Sequence, residues 1–273
     1  MYMPIKKRKG NKMNIFFYII IFIMGITFGS FYTLAVYRIP NKQDITHTHS
    51  YCPNCNHKLN FLDLIPIFSY IFLGGKCRYC KQKIRPRYLI LEIISGLFFV
   101  MIAYLMELNI YSLEIKTIIE YVFFVLYFTF TILIAGIDKE SRTINKSVLI
   151  YGIIISIMYI VYLYIIEKTS IYRYVIYLLL FVLFLILDTI SLKKFAKSNY
   201  TYLILMVALI MVIFTGEYIT IGVISTVIVQ TLINLFIKKR KFIEQYNKTK
   251  LGWYLSTFNI IYFIIVLSIF KFI

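Results

Sequence analysis

Eight runs of roughly twenty apolar residues divide this chain, and a run of that length crosses the hydrocarbon core of a bilayer as one helix. They fall at 14–37, 89–106, 116–137, 147–166, 171–190, 200–215, 218–237 and 252–271. With 60% hydrophobic, 18% aromatic and only 15% charged residues, the 273-residue chain lacks the polar surface that a soluble domain needs. The expected fold is an all-α integral membrane protein of about eight transmembrane helices. A formal charge of +18 would suggest nucleic acid in a soluble chain. Here the basic residues stand between apolar runs, where they orient helices and meet anionic lipid, so the expected partner is the lipid bilayer and no nucleic acid.

Residues 38–88 interrupt this pattern. They are too polar to span, and they hold all 4 cysteines as two Cys-x-x-Cys pairs, Cys52/Cys55 and Cys77/Cys80. Tetrahedral zinc takes four thiolates, and each Cys-x-x-Cys turn offers two sulfurs from one loop, so two such knuckles close a complete structural site. The alternatives are two disulfides or thiols buried as small apolar groups, and the compartment decides among them. The expected organisation is an N-terminal tail and first transmembrane helix (1–37), a four-cysteine zinc-binding domain (38–88) and a polytopic membrane domain (89–273).

If the cysteine loop is cytoplasmic, alternation places 138–146, 191–199 and 238–250 on the same side. That inner group carries about seven in ten of the 30 Lys and Arg residues, which favours this orientation. The dissenting charges are Lys6, Lys7, Arg8, Lys9 and Lys12, ahead of the first span. Translation beginning at Met13 would remove all of them, and the first run is expected to be a retained span rather than a cleaved signal. A cytoplasmic loop lies in a reducing compartment, where thiolate–metal sites persist and disulfides rarely do.

Carboxylates at a membrane edge are costly and therefore suspect as functional. Asp138 and Asp188 each close an apolar run at the same end of two spans with the same direction, which expects both at one cytoplasmic depth. Two neighbouring carboxylates can share a proton, one taking a proton from water while the other polarises a scissile carbonyl. The alternative is that each merely marks the water interface. Glu92 is expected to pair with Arg85 or Arg87, Glu217 falls in an outer turn, and His57 stands beside a knuckle whose four sulfurs already complete a metal site.

Residues 25–40, GITFGSFYTLAVYRIP, and the following stretch from Ser50 to Gly96 resemble the bacterial prepilin peptidases (type IV leader peptidases, an intramembrane aspartyl protease family). The features that carry this likeness are Gly-Ser-Phe, Tyr-Arg-x-Pro, the two knuckles, Asp63-x-x-Pro66 between them, then Arg87-Tyr88 and Glu92. The resemblance implies cleavage of leader peptides from type IV prepilin or pseudopilin substrates at the inner face of the bacterial plasma membrane. It further implies methylation of the new N-terminus with S-adenosylmethionine in many members, structural zinc on Cys52, Cys55, Cys77 and Cys80, and catalysis by Asp138 and Asp188. Gly136-Ile137-Asp138 matches the first catalytic motif, with Asn145 where a proline is expected. The second motif departs further: Leu185-Ile186-Leu187 precede Asp188 where Gly-x-Gly is expected, and Ile190 takes a lysine's place. That departure favours, as the competing reading, a family member that binds pilins or secretion-machinery partners without cutting them. A transporter would need paired acids near the midplane and repeated halves, neither of which is present in the sequence.

Overall fold

A computed structural model describes residues 7–47, 49–111, 113–167, 172–195, 200–238 and 250–272. Of the basic residues that entered the charge argument, Lys6, Lys168, Lys197, Lys239, Arg240, Lys241 and Lys248 lie outside the described residues. The elements are α1 (Lys7–Arg38), a short 3-10 turn (Phe61–Asp63), α2 (Phe68–Phe72), α3 (Arg87–Leu105), α4 (Ile115–Ser141), α5 (Lys146–Glu167), α6 (Tyr172–Phe195), α7 (Tyr200–Lys238) and α8 (Leu251–Phe272). Among the described residues, 7 helices are long and apolar enough to cross a membrane.

Within the described residues each of the eight apolar runs is helical, and the difference in count comes from α7. Its 39 residues would extend about 58 Å if straight, nearly twice the hydrocarbon thickness. Gly216 interrupts it with non-helical angles of φ 79° and ψ 167°, a region open only to glycine without strain. The sixth and seventh runs are thus joined through a single glycine rather than a loop.

Large apolar side chains cover the outside of the helices as well as filling their core, unlike in a soluble protein. Ile150, Ile154, Ile157, Met158 and Val161 of α5 are exposed, whereas Thr131, Ser156, Thr215, Thr220 and Asn259 are buried. Apolar side chains outside and hydrogen-bonded polar ones inside suit a chain whose solvent is lipid.

The chain forms two compact units that divide between Val122 and Phe123. In the first, α1 lies against α3 at a distance set by glycines. A Cβ at Gly25 would stand 2.7 Å from Gly96 Cα, and one at Gly29 would stand 2.7 Å from Glu92 Cα. Small residues four apart on one helix face allow this close backbone approach, which replaces the hydrophobic effect as a source of attraction in lipid. The far end of α1 is tied by Tyr18, whose hydroxyl donates to the Leu108 carbonyl at 2.9 Å. At its near end the buried Arg38 donates to the Asp44 and His49 carbonyls at 2.9 and 3.1 Å, and so gathers the chain that leaves the helix.

In the second unit, Tyr127, Tyr159 and Phe214 stack with ring centroids 4.6 and 4.8 Å from Phe214. The Tyr127 hydroxyl donates to Asn259, whose amide donates to Thr215 Oγ1 at 3.2 Å. This satisfies buried polar groups of α4, α7 and α8 where no water could reach them.

Candidate metal centre and buried carboxylates

The two knuckles are copies of one turn, 25 positions apart. Cys52 N–H donates to the His57 carbonyl at 3.0 Å as Cys77 N–H does to Gln82 at 2.9 Å. Asn56 and Lys81 return to the Cys52 and Cys77 carbonyls and sit at φ 55° and 58°. Isolated bridges pair Tyr51 with Lys58 and Lys76 with Lys83. The backbone amides of His57 and Gln82 point at the Cys55 and Cys80 sulfurs, the second cysteine of each pair. An amide aimed at a sulfur favours the thiolate, the form that binds metal. The Gln82 amide is the largest influence holding the Cys80 thiol below its ordinary value, while at Cys55 the His57 amide is outweighed by burial and the neighbouring sulfurs together, which raise the thiol.

The four sulfurs all lie within 4.8 Å of one another. Four sulfurs held about 2.3 Å from one zinc in a tetrahedron stand about 3.8 Å apart, and Cys52 Sγ and Cys80 Sγ are separated by 3.8 Å. The donor set and its spacing therefore fit a tetrahedral thiophilic ion, and the separation is far beyond a sulfur–sulfur bond. His57 is not one of these ligands. Its ring lies 3.6 Å from that of Tyr79 and joins the first knuckle to the second.

Asp63 makes the second connection. Arg78 Nε donates to its Oδ1 at 2.6 Å, while the Asn60 amide and the Tyr79 hydroxyl donate to Oδ2 at 3.1 and 3.4 Å. Partial burial alone would raise this carboxyl, but the Arg78 and Asn60 hydrogen bonds and the Arg78 charge outweigh it and hold the group below the usual carboxylate range. The acid between the knuckles is thus fully committed to bracing them.

Glu92 has a role that the sequence did not suggest. Rather than pairing with Arg85 or Arg87, its Oε2 accepts from the Ile67 amide at 2.7 Å, and Ser30 donates to it as well. Ile67 occupies φ 65° and ψ −54°, and the Phe68 amide reaches the Pro66 carbonyl at 2.7 Å, a strained γ-turn for a β-branched residue. A buried carboxylate on α3 holds that turn in place.

In the second unit, Asp138 is fully buried and Asp188 is 2% exposed. Asp138 closes α4, with the Arg142 amide returning to its carbonyl at 2.9 Å. Its Oδ1 accepts from the Tyr200 hydroxyl at 2.6 Å and its Oδ2 from the Trp253 amide at 3.0 Å. Trp253 belongs to the first turn of α8, whose free amides carry partial positive charge and suit a carboxylate. A Cβ at Gly252 would come within 3.2 Å of Asp138 Oδ2 and 2.9 Å of Ile144 Cδ1, so glycine is what lets α8 present its amides there. Lys139 lies 5.1 Å over the Trp253 ring and steadies that turn. The Tyr200 hydroxyl also accepts the Gly252 amide at 3.2 Å, which ties the start of α7 to the start of α8 at this carboxylate.

Asp188 accepts from Lys146 Nζ at 2.6 Å. Lys146 opens α5, and Asn145, standing where proline was expected, accepts the Ser147 amide at 2.8 Å and so caps that helix. Leu185, in the place of the first expected glycine, is 46% exposed, and Ile190, in the place of the lysine, is 53% exposed. Both side chains are largely exposed, whereas the carboxylate they flank is buried. Leu187, in the place of the second glycine, is half-buried. Each acid is engaged by neighbours of its own: Tyr200 and α8 for Asp138, Lys146 for Asp188. None of Tyr200, Gly252, Trp253 or Lys146 stood out in the sequence. They are distant in the chain from the acids they serve, and each is an ordinary residue at a helix end.

Comparison with known proteins places the likeness in the N-terminal third. Residues 23–106 match the family model described as the bacterial peptidase A24 N-terminal domain. A prepilin leader peptidase/N-methyltransferase of Klebsiella pneumoniae is 35% identical over 92 residues, 32% of this chain and 40% of that protein. The protein of the same name from Vibrio cholerae is 39% identical over 85 residues, 28% of this chain and 34% of the other. The one from Bacillus subtilis is 40% identical over 80 residues, 29% and 32% respectively. The chain thus spans two fifths or less of the length of these curated relatives. No solved structure matches the chain.

Proposed function

We propose that the chain is a membrane-embedded aspartyl endopeptidase of the bacterial inner membrane, removing leader peptides from type IV prepilin-like proteins. The observation that carries this reading is the match of residues 23–106, knuckles and Asp63 included, to the N-terminal domain of bacterial A24 peptidases. Two further acids, Asp138 and Asp188, are buried near the ends of α4 and α6 with donors already aimed at them. In this reading one carboxylate takes a proton from water as the oxygen attacks the scissile carbonyl. The other, protonated, polarises that carbonyl and then gives its proton to the leaving amine.

Tyr200, the first turn of α8 and Lys146 hold the two carboxylates in fixed rotamers, so little reorganisation is needed when a peptide arrives. Cys52, Cys55, Cys77 and Cys80 would hold a structural zinc, whose contribution is to fold the loop rather than to enter the reaction. The excess of Lys and Arg in 38–88 and the connections after α4, α6 and α7 supports a cytoplasmic position for the cysteine loop and both acids. N-methylation of the trimmed product with S-adenosylmethionine is proposed from the double name of the relatives.

The apolar triplet before Asp188 and the isoleucine at 190 favour a second reading, a member that binds pilins or secretion partners without cutting them. Cleavage of a matched prepilin in membranes separates the two. Asp138→Asn and Asp188→Asn should each abolish cleavage at unchanged protein level. Cleavage that persists in the Asp188 variant would move the second role to another residue, and no cleavage by the unaltered chain would leave the binding reading.

A further inference from the structure

The segment between the knuckles turns its apolar side the wrong way for a water-soluble domain. In α2, Tyr70 faces inward, donating to the Ile84 carbonyl at 3.3 Å and packing where a Cβ on Gly75 would come within 2.9 Å of its hydroxyl. The outward side carries Phe68, Ile71 and Phe72 at 56%, 61% and 84% exposure. The neighbouring 3-10 turn adds Phe61 at 81% and Leu62 at 63%. Such a patch has no place in water.

Its depth is fixed by a hydrogen bond. The 19 residues of α3 extend about 28 Å, just the thickness of the hydrocarbon core, so Arg87 marks the edge of that core. Glu92 lies about 7.5 Å along α3 from Arg87. Its carboxylate holds the Ile67 amide, and α2 begins at the next residue. The start of α2 therefore lies within about 7.5 Å of that edge on its acyl side, inside the roughly 5–10 Å depth at which an interfacial segment sits. The second knuckle and the segment after it, in the same domain, carry the exposed cations Lys76, Lys81, Lys83 and Arg85.

The geometry points to an interfacial membrane anchor: the 3-10 turn and α2 lie in the anionic leaflet that α1 and α3 cross. Phe61, Leu62, Phe68, Ile71 and Phe72 dip among the acyl chains, and the knuckle cations meet lipid phosphates. Apolar area inserted at the boundary combined with basic residues at headgroup level is the combination that holds a short segment in an interface. The strained γ-turn at Ile67 fits this role. It turns the chain sharply at the point where the Ile67 amide is held by Glu92 of α3. The anchor holds the metal domain at a set height, and it stands whether or not the chain cleaves a peptide.

The test uses the full-length chain, whose single tryptophan, Trp253, is first replaced by Phe. Phe72→Trp, and separately Phe61→Trp, are reconstituted in phosphatidylglycerol vesicles doped with bromine-labelled phosphatidylcholine, and metal content is measured to confirm intact knuckles. The tryptophan introduced at position 72 or 61 should emit to the blue and be quenched by brominated lipid severalfold more than one introduced at Lys81. Quenching by aqueous iodide instead of brominated lipid at both positions would overturn the anchor. Protection from both quenchers would also overturn it, because protein and not lipid would then cover the patch.

Discussion

Gly29→Ala adds a single methyl at the point where α1 and α3 come closest. That methyl would meet Glu92 Cα at 2.7 Å, the Leu91 carbonyl oxygen at 3.0 Å and Ser95 Cβ at 3.0 Å. None of these atoms can rotate aside, since two are backbone and the third is fixed to it. Relaxed carbon–carbon contacts lie at about 3.5–4.0 Å, so the helices must part by about 1 Å. Overpacking of this kind costs about 1–3 kcal/mol, and alanine's better helix propensity returns about 0.5–1 kcal/mol. A net loss of roughly 1–2 kcal/mol lowers the melting temperature by about 2–8 °C for a chain of this size. Gly222→Ala supplies the internal control, because nothing lies within 4 Å of a Cβ built there. It gains the propensity term without the clash and should melt at or above the parent. Thermal unfolding of the three proteins in one detergent, followed by far-ultraviolet circular dichroism, reads the difference in sign. A Gly29→Ala protein that melts with the parent or above it would refute glycine-limited packing of α1 on α3.

Asp63→Asn keeps the size of the side chain but removes the charge that Arg78 answers. With Arg78 half exposed the loss is modest, read as severalfold faster transfer of zinc from the purified protein to a chromogenic chelator, and an unchanged rate would contradict it. Lys146→Met should lower kcat for prepilin cleavage about ten- to a hundredfold by freeing the Asp188 rotamer, with KM little changed and Lys146→Arg restoring most of the rate. Gly252→Ala should displace Asp138 by a few tenths of an ångström and cost about tenfold in kcat while melting with the parent, an outcome that wild-type kcat would contradict.

The helices were readable because lipid imposes one rule along the whole chain: a run of about twenty apolar residues must close its hydrogen bonds internally. The same rule cannot tell a loop from a break at one residue. The 200–215 and 218–237 runs therefore read as separate spans, where the structure joins them in α7 through Gly216. The knuckles were equally plain, since a Cys-x-x-Cys turn is local and its chemistry belongs to the residue type. Glu92 was not. A carboxylate beside two arginines reads as half of an ion pair, yet it is spent on an amide 25 positions earlier, because the γ-turn at Ile67 leaves that donor facing α3. Long-range pairing of a side chain with a backbone group leaves no trace in composition or spacing.

The departures around Asp188 show where reading a motif as a string falls short of reading it as a set of positions in space. The lysine expected two places after the acid is an isoleucine that faces outward, 53% exposed. An ammonium group nonetheless reaches Asp188, from Lys146 at the start of α5, 42 positions away. What a buried carboxylate needs is donors within hydrogen-bonding distance, and a neighbouring helix end supplies the cation for Asp188 as another supplies the amide for Asp138. Asn145 makes the same point for the missing proline: a fixed φ and a capping side chain are two ways to start a helix, and α5 uses the second. Only the glycines have no substitute of this kind, because no side chain can be removed by a neighbour. Leu185 and Leu187 leave the Lys146 contact in place, but they add apolar bulk along α6 beside the acid. Leu185→Gly with Leu187→Gly, assayed against the same prepilin, decides whether that bulk restricts the substrate: faster cleavage would show that it does, and an unchanged rate would remove the triplet as grounds for the binding-only reading.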